Sequence, residues 1–152
     1  MTRALTAVGA LLALCLLILG LAVYLGRDED KVAVDNLLAE DITRAIGTAE
    51  ERGADVDLGK VAKFEWDELV VAERDVSRAR LSRELGHPWK GELEFGTGDL
   101  LIFLRKGAVA RFADYRGQGR FDGIERPIAR LDRAAAVFRV RGLVIRPLRP
   151  QS

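Results

Sequence analysis

Histidine and cysteine are almost missing from this chain. One of each, His87 and Cys15, stands among 152 residues. A conventional zinc site, which gathers several such ligands, is excluded by that count. Cys15 falls inside an apolar run, so the rest of the chain has no thiol and no disulfide. It must fold on its apolar core alone. His87 sits beside Pro88 and Trp89 with no acid or base adjoining it, and reads as a turn residue rather than a general base. Ser77 and Ser82 fall in a predicted helix and not on a glycine-flanked elbow, so a histidine-based triad has no nucleophile. The D-x-D-x-D-G pattern of a calcium loop is missing. Gly96-Thr97-Gly98-Asp99 and Gly117-Gln118-Gly119 resemble pieces of phosphate loops. Neither has the G-x-G-x-x-G spacing or the closing Lys-Ser/Thr, so both read as turns.

Net charge is also lacking. Residues 27–152 hold 23 bases and 23 acids. The two signs are unevenly spread: residues 27–104 carry 11 bases and 19 acids, and residues 105–152 carry 12 bases and 4 acids. Two arrangements fit. An acidic half folds against a basic half and the charges interleave, or a basic face is left for anionic polymer, lipid headgroups or an acidic partner. Nucleic acid is not expected as a partner, because a neutral domain lacks the basic stripe interleaved with stacking aromatics. Arg outnumbers Lys 19 to 5, the codon bias of a GC-rich bacterial genome.

What the chain does have is an uncharged stretch from Ala4 to Gly26, between Arg3 and Arg27. Its 23 residues would span about 34 Å as a helix, enough for a hydrocarbon core of about 30 Å. A cleaved signal peptide has an apolar region of only about 7–15 residues. Cleavage after Ala22 would leave apolar Val23, Tyr24 and Leu25 at the new terminus. A lipoprotein signal ending at Cys15 would place Leu14 where a small residue belongs, and Cys15 would lie mid-segment. An uncleaved signal anchor therefore fits best: single-pass in the cell membrane, N-terminus cytoplasmic, the remainder outside. Tyr24 suits an interfacial position. The predicted organisation is an anchor over 1–27, an extracytoplasmic domain over 28–147 and a tail over 148–152.

Val34, Leu38, Ile42, Ile46 and Ala49 recur at helical spacing, widened by Leu37 and Ala45, and predict an amphipathic helix over about 31–52 that stops at Gly53. Residues 54–63 read as loop or weak helix. The run from Phe64 to Ala72 ends in apolar β-branched residues and predicts a strand buried at Leu69–Val71. Asp75 is the expected cap of a helix with Val76, Ala79, Leu81 and Leu85 as apolar positions, closed by Gly86. Two hairpins follow, 100–105 with 108–115 around Lys106-Gly107 and 135–141 with 143–146 around Gly142. A loop over 116–123 and a short helix over 124–131 are expected between them. The fold class is α+β: one antiparallel sheet of about four to five strands, with two or three helices on one face.

The pattern Phe64-x-Trp66-Asp67-x-Leu69-x-Val71, the helix ending Leu85-Gly86 and the hairpin Leu101-Ile102-Phe103-Leu104-Arg105-Lys106-Gly107 together resemble small bacterial membrane-anchored and lipoprotein domains. Val70 stands where that pattern would carry an aromatic. The resemblance, over about 64–115, implies an address and a fold class and supplies no catalytic residue and no cofactor.

Three loci remain as candidates. Arg116, Gln118 and Arg120 surround two glycines and could cradle an anion. Trp66 reads as a buried structural residue, with Asp67 capping or pairing with a late arginine. Acid pairs such as Glu65/Asp67 and Glu92/Glu94 admit a carboxylate-based hydrolase, but nothing else marks a sugar cleft. The expected role is non-enzymatic: a binding or scaffolding module that meets the bilayer through its anchor and an envelope protein or anionic polymer through its domain.

Overall fold

The computed structural model describes residues 34–91 and 98–148. All belong to the second of two compact units, Met1–Lys31 and Val32–Ser152. The expected anchor over Ala4–Gly26, the Glu92/Glu94 pair and the last four residues lie outside the described residues. Among the described residues no helix is long and apolar enough to cross a membrane.

Helix α1 (Asn36–Arg52) opens where Asp35 accepts a hydrogen bond from the Leu38 amide, and closes at Gly53 in the left-handed conformation. The helical pattern starts as far back as Val34, yet the helix does not. The Asp35 amide is taken by the Phe112 carbonyl at 2.9 Å, and Val34 packs with the neighbouring strands. Leu38, Ala39, Ile42, Ile46 and Ala49 are buried. Leu37, expected to widen the stripe, is 75% exposed.

The predicted single sheet is two sheets of four strands. The larger has the order β4-β3-β2-β6 and is antiparallel: β2 (Glu68–Ala72), β3 (Leu100–Arg105), β4 (Ala108–Asp114) and β6 (Ile128–Asp132). The smaller has the order β1-β7-β8-β5: β1 (Asp55–Asp57), β5 (Arg120–Phe121), β7 (Val137–Arg141) and β8 (Val144–Pro147). Its β5–β8 pair is parallel. One short helix, α2 (Leu58–Val61), follows β1, and α3 (Arg78–Leu85) follows β2.

The expectation of helices on one face also fails, for a reason readable in the strands. From Leu69 to Ala72 and from Leu100 to Leu104 every residue is apolar and buried, so both faces of the larger sheet need a cover. Leu69, Val71, Leu101 and Phe103 point into a core shared with α1 and with Phe121, Phe138, Val140 and Ile145 of the smaller sheet. Val70, Ala72, Ile102 and Leu104 point the other way, to Leu81, Leu85 and Trp89 in and after α3.

Three local expectations change. The cap of α3 is Ser77, which accepts from the Arg80 amide, and not Asp75; Ala79 is exposed. The segment 124–131, predicted helical, is not helical: it bends over 124–127 and then enters strand β6 at Ile128. Pro127 disfavours a helical Arg126, and β6 completes the edge of β2 from Ile128↔Ala72 to Asp132↔Glu68. The 116–123 loop contains β5, tied to β8 by Arg120 N–H to the Leu143 carbonyl and Asp122 N–H to the Ile145 carbonyl.

Candidate functional site

The glycines after β4 serve a close approach. A methyl at Gly117 would meet the Tyr115 hydroxyl at 2.1 Å, and one at Gly119 would meet Ile145 Cδ1 at 2.9 Å. The loop therefore lies directly on the Tyr115 ring, which packs edge-on against Phe121 at 5.5 Å. Burial pushes the Tyr115 phenol above its ordinary value, opposed by a hydrogen bond from the Gly119 backbone.

This loop forms one wall of a cleft of about 630 Å³. Gln118, Arg120 and Asp122 line it together with Glu73, Asp75, Asp99 and Arg126. The third expected member, Arg116, is not in the cleft. It turns to Asp114, which is 1% exposed, at 2.9 Å, and to Asn36 Oδ1 at 2.6 Å. The three residues grouped by sequence are thus two cleft residues and one structural tie.

Arg126 holds the cleft together. It reaches Glu73 at 3.1 Å and Asp99 at 3.3 Å, and also donates to the Phe121 carbonyl. Sequence reasoning missed it because it stood in a predicted helix; a Pro immediately after it was the available signal. Asp122 is paired with Arg146 at 2.7 Å, which holds its carboxyl below the usual range with help from the Gly123 backbone. A carboxylate held as the anion is a poor proton donor near neutral pH.

Trp66 is buried, and of the two roles expected of Asp67, capping or pairing with an arginine, it takes the first and caps a turn. Its carboxylate accepts from the Lys106 amide at 2.8 Å, where Lys106 adopts φ 52° in the β3–β4 turn. Trp66 is 3% exposed and meets Phe103 edge-on at 5.0 Å, with the Arg133 guanidinium 5.1 Å from its ring centre. Its indole N–H is buried without an acceptor among the described residues. His87 Nδ1 lies 3.4 Å from the adjacent Pro88 carbonyl. No group of three or more His, Cys, Asp or Glu that could hold a metal ion occurs among the described residues.

The late arginines mostly interleave with acids. Arg105 pairs with Glu65, Arg111 with Asp35, Arg130 with Glu68 and Glu84, and Arg139 with Asp55. All five of those acids come from the acidic half of the sequence. Arg141 departs from this pattern. On the exposed side of the smaller sheet, Arg139, Arg141 and Arg146 line a groove of about 430 Å³ with Val144, Pro147 and Leu148, and no acid lines it.

No family model matches the chain, and neither a curated protein nor a solved structure matches it. The resemblance noted over residues 64–115 therefore rests on its own residues.

Proposed function

We propose that this chain is a membrane-tethered, non-enzymatic binding or scaffolding module of the bacterial envelope, single-pass, with its folded domain outside the cytoplasm. The observation that carries this reading is the uncharged Ala4–Gly26 run, followed after eight residues by Asp35, the cap of the domain's first helix. Those residues extend at most about 30 Å, so the domain works close to the bilayer surface. A carboxylate-based hydrolase needs an acid whose pKa is raised. Asp122 is shifted the opposite way by Arg146, and Arg126 is occupied by Glu73 and Asp99.

Cross-linking on intact cells, followed by extraction of the full chain in detergent, tests the role. An envelope protein or polymer cross-linked to the domain is expected. A chain that captures nothing and instead turns over a glycoside or ester substrate would overturn the reading.

A further inference from the structure

We propose that the exposed face of the β1-β7-β8-β5 sheet, together with the β7–β8 hairpin tip, binds the phosphate groups of an anionic lipid surface. This rests on the membrane-tethered reading above and names a partner for the domain within it.

Alternation along the strands decides what this face presents. Phe138, Val140 and Ile145 point into the core, so Arg139, Arg141, Val144 and Arg146 point out. The register sets Arg139 opposite Arg146 and Arg141 opposite Val144. Like charges directly across a sheet repel. Each member of the Arg139–Arg146 pair is held from the outside by one acid, Asp55 at 2.9 Å and Asp122 at 2.7 Å. Arg141 has no hydrogen bond or ion pair among the described residues, feeling Asp55 only through space.

Beside this arginine cluster lie two of the three large apolar side chains left exposed among the described residues. Leu143 at the hairpin tip is 57% exposed, and Leu148, which lines the groove, is 39% exposed. The Arg141 guanidinium, which no carboxylate among the described residues bonds, has the fork that matches phosphate oxygens, and arginine stems lie along apolar surface. Exposed leucines flanked by arginines suit the boundary between headgroups and acyl chains. A soluble acidic peptide would use the arginines but gives no reason for both leucines. The short stretch between Gly26 and Asp35 keeps a bilayer within reach.

The test uses the full chain with Cys15→Ser and Leu143→Cys, carrying an environment-sensitive fluorophore at residue 143, in lipid nanodiscs. The proposal expects brighter, blue-shifted emission in phosphatidylglycerol discs than in phosphatidylcholine discs, reversed by high salt. Arg141→Ser should shift the contact equilibrium about five-fold toward the unbound state, the usual contribution of one basic side chain at an anionic surface. Equal emission in the two lipids would overturn the proposal. So would an equal response to polyglutamate in phosphatidylcholine discs, which would make this face a peptide surface. A chain that fails to enter discs contradicts the tether reading alone. The labelled chain is then mixed with phosphatidylglycerol vesicles, and the same emission change, present or missing, decides the lipid contact.

Discussion

Arg126 shows how one side chain can organise a cleft. It is about two-thirds buried and bonded to two carboxylates and a carbonyl. Arg126→Ala would leave Glu73 and Asp99 facing each other without their cation. Charge-assisted bonds of this kind contribute about 1.5–3 kcal/mol, so the variant should lose about 2 kcal/mol in urea denaturation. A second prediction concerns Asp55, whose carboxyl is held below its usual range mainly by the Arg139 side chain. A lowered folded-state value means that stability is present above the unfolded value of about 3.9 and lost as pH falls through the folded value. Carboxyl NMR of Arg139→Ala should show Asp55 titrating at higher pH than in the parent, with Asp122, bound to Arg146, unchanged. At this scale the sequence was readable where a residue acts on its neighbours: Gly53 and Gly86 close their helices as read, both left-handed. It was not readable where the partner is distant, as with Arg116 and Asn36, 80 positions apart.

The elements divide along the same line. Hairpins and amphipathic helices are local, and β3 with β4 and the main body of α1 match their patterns. Strands β1 and β5, of three and two residues, carry too little periodicity to be seen; they exist because β7 and β8 offer them backbone partners. Segment 128–132 is a strand because the edge of β2 was open, a tertiary demand that overrides local preference. The start of α3 gives the test at this scale. Ser77→Ala removes the bond to the Arg80 amide and should cost about 1 kcal/mol. Asp75→Ala, at the position favoured by sequence alone, should change the unfolding free energy by less than about 0.5 kcal/mol.

At the scale of the whole molecule, the charge asymmetry of the sequence resolves largely into pairing between its halves. Arg111 reaches Asp35, Arg139 reaches Asp55 and Arg130 reaches Glu68, contacts that no linear reading could assign. Of the three arginines lining the outer sheet face, Arg139 and Arg146 also take acids, and Arg141 has none among the described residues. The account then depends on the Ala4–Gly26 stretch being an anchor. The most direct measurement is carbonate extraction of membranes from cells expressing the full chain, with protease added to intact spheroplasts in parallel. The account predicts a carbonate-resistant chain of full mass whose domain is cleaved from outside. A carbonate-soluble chain, a species shortened to begin after Ala22, or a domain cleaved only after lysis would contradict it.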